Sequence, residues 1–202
     1  MVFFAVLFSV SIGAVNGYVL SKWRFRYDTI IFGLILFGTF IPFQIVLIPI
    51  ARVLGLMGLS GSIAGLVFVH VTYGIAFTTL FFRNFYVTIP NDIVSAARID
   101  GAGFWSIFYF VILLVSGPII TVAVIWQFTS IWNDFLFGAS FSGANSRPLM
   151  VALNNLVNTS TGTKAYNVDM AGAMIAAIPT MLVYVVAGRY FVRGLMAGAV
   201  KG

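Results

Sequence analysis

The sequence predicts an all-α fold, a polytopic transmembrane helix bundle with five spans, and two observations carry that prediction. The first is composition: 61% of the residues are apolar and only 8% charged, against about 25% charged in a soluble domain. The second is that the few charges lie between long charge-free runs, at residues 2–21, 29–51, 63–82, 107–133 and 170–188. A helix rises about 1.5 Å per residue, so roughly 20 apolar residues cross a hydrocarbon core of about 30 Å. Each run is continuously apolar rather than alternating, which excludes the short strands of a membrane barrel. Residues 1–202 therefore form a single transmembrane domain, with membrane lipid as its first partner.

The first run, "MVFFAVLFSVSIGAVNGY", enters the membrane with no basic residues ahead of it and no small-residue cleavage site clear of the span. It is not a secretory signal, and a segment upstream of it is expected. Gly13 and Gly17, like Gly61 and Gly65, stand four residues apart, the spacing that lets helix backbones approach closely. In the second run Pro42 and Pro49 of "IPFQIVLIPI" are expected to interrupt the helix twice and bend it. The third run holds His70, the single histidine, in a chain without cysteine. With no second histidine or cysteine to share a metal, a helix-to-helix hydrogen bond rather than a metal site is the expected use of that ring.

Between the third and fourth runs the chain turns polar, over a connection at about residues 85–104 that contains "SAARIDGAGFW". Pro90 suits a helix's first turn, with Thr88 or Asn91 as its cap. Ile93, Ala96 and Ala97 recur at helical spacing and Asp100 extends their face. Gly101 supplies the positive φ that ends a helix, and a second helix begins near Phe104. Small residues here allow another backbone to come close, so the unit reads either as a plug for a partner's groove or as a solvated connection. The longest polar loop, at about 138–168, carries Asn154, Asn155, Asn158 and Thr159, with "TSTGT" as a turn.

Orientation follows from the basic residues of short loops, which stay cytoplasmic. Lys22, Arg24, Arg26, Arg83, Arg98, Arg189, Arg193 and Lys201 fall on one side, and only Arg52, Arg147 and Lys164 on the other. The 85–104 loop and the C-terminus are thus cytoplasmic and the N-terminus lies outside. The net charge of +6 is this asymmetry, and no basic-aromatic patch points to nucleic acid. No G-x-x-x-x-G-K-[ST] occurs, so the chain cannot cradle ATP phosphates itself. No clustered Ser, His and Asp suggests catalysis, and no cofactor is implied.

The polar connection resembles the EAA motif of the membrane subunits of binding-protein-dependent ABC importers: Glu-Ala-Ala, two variable residues, Asp-Gly-Ala, then hydrophobics leading to a proline. Ala96, Ala97, Asp100, Gly101, Ala102 and Pro118 match it, and Ser95 replaces the glutamate. "NGYVLSKWRFR", "FFRNFYVTIP", "WNDFLFGASF" and "GLMAGAVKG" are similar to carbohydrate-type permeases, notably the second membrane subunit of the maltose importer. The segment from Ser146 is similar to glucose and mannose permeases. The resemblance implies a type I importer fold with a missing first helix, since family members usually have six spans. It implies a bacterial inner-membrane location and three partners: a second permease subunit, a dimeric ATP-binding subunit and an extracytoplasmic sugar-binding protein. The 85–104 loop would be the coupling helix, with Ser95, Ala96, Ala97, Asp100, Gly101 and Ala102 at the ATPase. The 138–168 loop would meet the binding protein through Asn154, Asn155, Asn158 and Thr159.

Polar groups are costly in lipid unless they face a partner helix or a wet cavity. Gln44, Tyr73, Trp126, Gln127 and Asn133 are therefore candidates for a translocation path, with helix packing as the alternative use of each. The competing class is a self-sufficient secondary transporter or channel, which calls for a carboxylate in mid-span. Asp134 and Asp169 lie instead at span ends.

Overall fold

The computed structural model describes residues 1–23, 25–158 and 165–199, with side chains as far as Gly188. Its elements in chain order are α1 (Val2–Lys22), α2 (Asp28–Phe37) with a 3-10 turn at Gly38–Phe40, α3 (Phe43–Leu56), α4 (Ile63–Thr88) and α5 (Asn91–Ile99). There follow α6 (Phe104–Ile107), a π turn at Phe108–Ile112, α7 (Leu113–Val115), α8 (Gly117–Trp132), α9 (Leu136–Phe141), α10 (Leu149–Asn158) and α11 (Tyr166–Ala199). The fold is all-α, and among the described residues there is no strand.

Three helices are long and apolar enough to cross a membrane, α1, α4 and the Tyr166–Gly188 part of α11, and the number is five if each of two bent pairs is one span. The first pair, Asp28–Phe40 with Phe43–Leu56, bends by 103°. Its cause is local: Ile41 precedes Pro42 and takes the extended ψ of 120° that the proline ring imposes on its predecessor. Pro49, expected to be a second interruption, sits inside α3 without ending it. The second pair, Phe104–Val115 with Gly117–Trp132, bends by 81° where the sequence suggested one uninterrupted run. Pro118 stands in the first turn of α8, and the hinge residue Ser116 is buried, donating to Ile112 O at 2.5 Å and sharing a 3.1 Å hydrogen bond with the Tyr86 hydroxyl.

The bundle is organised around the parallel pair α1 and α4. Gly13 lies directly against Thr78, and a Cβ on Gly17 would stand 2.5 Å from Phe82 Cβ and 2.7 Å from the Arg83 amide nitrogen. The lack of side chains there brings the backbones close enough for Thr78 Oγ1 to donate to Ser9 O across the seam at 2.9 Å, and for Asn16 Nδ2 to reach Thr79 Oγ1 at 3.3 Å. Gly61 and Gly65 are used differently from the expected helix seam. Gly61 turns the chain ahead of α4 at φ +67°, its carbonyl accepting from Gly143 N at 3.1 Å and Ser146 Oγ at 2.7 Å. Gly65 makes room for the Leu59 carbonyl.

α8 packs antiparallel to α4, with Ser116 beside Tyr86 at one end and Gln127 beside His70 towards the other. Tyr18, Phe82, Tyr86, Ile107, Phe108 and Ile112 fill the core where α1, α4 and the turn after α6 meet. A second cluster of Leu54, Leu66, Val69, Phe137 and Phe141 closes the opposite end. α11 joins through Trp132 Nε1, which donates to Ala176 O at 2.9 Å. Within the 138–168 stretch the end of α9, all of α10 and the start of α11 are helical.

A Gly17→Val substitution is expected to cost about 1–3 kcal/mol by overpacking the α1–α4 seam, read as a lower Tm of the detergent-solubilised protein. Gly33→Val, at a position with no heavy atom within 4 Å of the added Cβ, is expected to stay close to wild type.

Candidate functional site

Two polar places stand out in this apolar bundle. At one end lies α5. Pro90 occupies its N-cap position and no side chain caps it. Of the two cap candidates, Thr88 Oγ1 donates back to Phe85 O at 2.7 Å and Asn91 Oδ1 accepts from Lys22 Nζ at 3.0 Å. The other end is closed by a pair of hydrogen bonds, Gly101 N to Arg98 O at 3.0 Å and Ala102 N to Ala97 O at 2.9 Å. Gly101 takes φ +82°, the left-handed value such a helix stop requires.

Helical geometry sorts the six residues of this segment. Val94 is buried, while Ala97 and Ala102 are half-buried against the core of the bundle. Ser95, Ala96, Asp100 and Gly101 are exposed, together with Ile93 and the 86%-exposed Ile99. Ala97 thus leaves the face on which the sequence placed it beside Ala96, since neighbours on a helix point about 100° apart. α1 grips this helix at both ends. Lys22 Nζ also donates to Ile89 O at 2.5 Å, and the Arg98 guanidinium lies 4.3 Å from the centroid of the Trp23 ring. Lys22 and Arg98 carried only a topological meaning in the sequence.

The second place is a pocket of about 210 Å³ between α4, α8 and the start of α3. Tyr73, Trp126 and Gln127 line it, joined by His70, Phe77, Ser130, Asp134, Phe43 and Phe137. Gln44 and Asn133 are exposed and are not part of this lining. The aromatic wall comes in two groups: Tyr73 and Phe137 have ring centroids 5.0 Å apart and Phe43 and Tyr73 5.2 Å, while Phe77 and Trp126 stand 5.7 Å apart. Gly74 leaves the space that the Gln127 amide fills, and Gln127 Nε2 donates to His70 O at 3.3 Å.

Asp134 accepts from Phe137 N at 3.3 Å and Gly138 N at 3.0 Å, so its carboxylate is held at the first-turn amides of α9, one residue ahead of the N-cap Phe135. His70 Nε2 is buried without a hydrogen-bond partner and stands 3.7 Å from Asp134 Oδ2. The helix-to-helix hydrogen bond expected of this ring is absent at Nε2. Sequence reasoning missed His70, Ser130 and Asp134 as members of the site. A signal existed, because 127, 130 and 134 fall on one face of a helix continued past Trp132.

Beyond these places, Asn154 and Asn158 are exposed on α10, with Asn158 Nδ2 donating to Asn154 O and Oδ1, each at 2.9 Å. Asn155 is half-buried, and Thr159 lies outside the described residues. Among the described residues no group of three or more metal-ligating side chains forms.

The chain belongs to the family described as the inner membrane component of binding-protein-dependent transport systems, whose profile matches residues 5–195. This is the kind of family the EAA-like residues implied, and its members are transport components that carry no ATPase site of their own. A probable ABC transporter permease protein of Pyrococcus horikoshii is 43% identical over 188 residues, covering 92% of this chain and 68% of that protein. A xylose/arabinose import permease of Haloferax volcanii is 32% identical over 216 residues, covering 96% of this chain and 70% of that protein. In fold, the chain is similar to a chain of a bacterial ABC transporter involved in import of the acidic polysaccharide alginate, with a TM-score of 0.78 at 24% identity, covering 94% of this chain and 71% of that one.

The tight fit of Gly74 to Gln127 is testable by a double-mutant cycle. Gly74→Ala is expected to lower stability by about 1–3 kcal/mol through overpacking. In a Gln127→Ala background the same change is expected to cost far less, the difference being the coupling energy of a contacting pair.

Proposed function

We propose that the chain is the permease subunit of an ATP-driven saccharide importer, supplying half of the translocation path and coupling to a separate ATPase through α5. The observation that carries this reading is the build of α5: a small-residue surface with Ile93 and Ile99 exposed, stopped by Gly101 and held to α1 through Lys22 and Trp23. Apolar side chains of that size at a polar rim suit insertion into a groove of a soluble partner. Ser95 in place of the family's glutamate removes one charge from that contact.

In this reading α5 faces the cytoplasm, the C-terminus lies on the same side and the N-terminus outside. α10 with Asn154, Asn155 and Asn158 faces an extracytoplasmic sugar-binding protein, and a second permease subunit completes the path. ATP binding favours the closed state of the ATPase dimer, and that differential affinity drives the membrane halves from inward- to outward-open. Glucose or mannose follows from the sequence resemblance, while relatives named for xylose and arabinose, for arabinooligosaccharides and for sn-glycerol-3-phosphate widen the class beyond those two sugars.

A secondary transporter would instead use the carboxylate of Asp134 beside His70 to carry protons. The two readings separate in proteoliposomes, where ATP-loaded vesicles accumulate sugar in the first case and an imposed proton gradient suffices in the second. Co-purification of the tagged chain from a host expressing the neighbouring transport genes is expected to recover an ATPase and a second permease. Gly101→Val forces a β-branched residue into the left-handed region. It is expected to lower ATP-driven uptake at least about tenfold, a barrier change of about 1.4 kcal/mol, with the ATPase lost from the purified complex. Uptake at the wild-type rate with the ATPase still bound would overturn the role given to α5.

A further inference from the structure

A separate inference concerns a polar pocket of about 310 Å³ beside α5, where the last turns of α1 and α4 end. We propose that it holds the phosphate of one anionic phospholipid, taken from the leaflet that α5 faces. The inference depends on the chain spanning a membrane and not on the importer reading.

The charge of the pocket leads there. Lys22 comes to it from α1, Val87 from α4, and Asn91, Ser95 and Arg98 from α5. Both charged side chains in the lining are cations, and no carboxylate is among them. Lys22 is only 9% exposed, and its Nζ donates to two neutral oxygens, Ile89 O and Asn91 Oδ1. Arg98 lies over the Trp23 ring. Among the described residues neither cation forms an ion pair, although α5 carries Asp92 and Asp100. A largely buried cation with neutral partners alone is unfavourable, so the site has a standing preference for an anion. Lys22 keeps a third N–H, Asn91 the N–H groups of its amide and Ser95 its hydroxyl, a donor set that suits phosphate oxygens.

The placement of the pocket favours a lipid over an acidic residue of a soluble protein. α1 and α4 are each long and apolar enough to cross a membrane. Lys22 is the last residue of one and Val87 the last but one of the other, so the pocket sits at headgroup depth. Val87 is 55% exposed and gives the pocket an apolar lip on its outer side. At 100° per residue, Asn91, Ser95 and Arg98 share one flank of α5, and Ile93, Ala96 and Asp100 lie on the other side. A lipid in the pocket therefore leaves that other side free for a protein. Basic pockets at the ends of membrane helices take acidic headgroups. A zwitterionic headgroup brings its own cation and gains less from Lys22 and Arg98.

The test is native mass spectrometry of the whole chain, released from micelles that contain dioleoylphosphatidylglycerol and dioleoylphosphatidylcholine in equal amounts. One phosphatidylglycerol per chain is expected to be retained in preference to phosphatidylcholine, and Tm is expected to rise as phosphatidylglycerol is added. Arg98→Gln should weaken that binding about fivefold, the share of one basic residue at an anionic lipid surface. Ser95→Glu, at an exposed position of the lining, brings a carboxylate to the pocket. It should weaken binding at least as much, with Tm in phosphatidylcholine alone not lowered. Arg26→Gln removes the same charge from an exposed site just after α1 and should bind as the wild type does. Equal retention of the two lipids by the wild type, or unchanged binding in Arg98→Gln and Ser95→Glu, would overturn the proposal. So would an equal loss in Arg26→Gln, or a Tm rise reproduced by inorganic phosphate. No ATPase enters the experiment, so its failure would leave the importer reading standing.

Discussion

Because Gly13 and Gly17 carry no side chain, α1 lies directly on Thr78 and Phe82 of α4, and the other working parts take their positions from that contact. Hydrocarbon gives helices no solvent-driven reason to associate, so close packing and interhelical hydrogen bonds must supply it. The bond from Thr78 to the Ser9 carbonyl exists only because the backbones come that near. Fixing α1 against α4 sets where Lys22 arrives, at the carbonyl of Ile89 and the side chain of Asn91. It also leaves the flank of α4 that carries His70, Tyr73 and Gly74 for α8.

The bends matter as much as the straight helices. A continuous span satisfies its own backbone and offers a ligand only side chains, whereas a broken one turns its ends inward. The 103° break at Ile41 and Pro42 brings the start of α3, with Phe43, to the pocket rim. At the other break, the Ser116 hydroxyl engages the Ile112 carbonyl and the Tyr86 hydroxyl, as freed polar groups in a membrane-depth segment require.

Properties confined to a few consecutive residues were legible in the sequence. Charge-free runs announced membrane helices, and "DGAG" announced a helix stop at Gly101, because hydropathy and positive φ are local matters. Pro42 was readable as a break for the same reason. Pro49 was not readable as a tolerated proline, since toleration depends on its surroundings. Of the five path candidates, Tyr73, Trp126 and Gln127 meet in one pocket while Gln44 and Asn133 do not. The pairing of His70 with Asp134 joins residues 64 positions apart and follows from the antiparallel register of α4 with α8, which no local pattern encodes. The grip of Lys22 and Trp23 on α5 was hidden likewise, because a basic residue at a span end already had an adequate topological explanation.

That grip has a mechanical consequence. α5 follows α4 through a two-residue connection, Ile89 and Pro90, and is fastened to the end of α1 by Lys22 and Trp23, so a pull on it loads two seamed helices together, as a beam stiffer than either alone. From Thr88 to Tyr73 the beam runs about 22 Å at 1.5 Å per residue. Over that lever arm a tilt of a few degrees at the rim becomes a displacement of about 1–2 Å at the pocket, a sizeable fraction of the 3.7 Å between His70 and Asp134. A small rotation at one face of the membrane would therefore open or close a hydrogen-bonding site buried well inside it, with no element of the bundle needing to unfold.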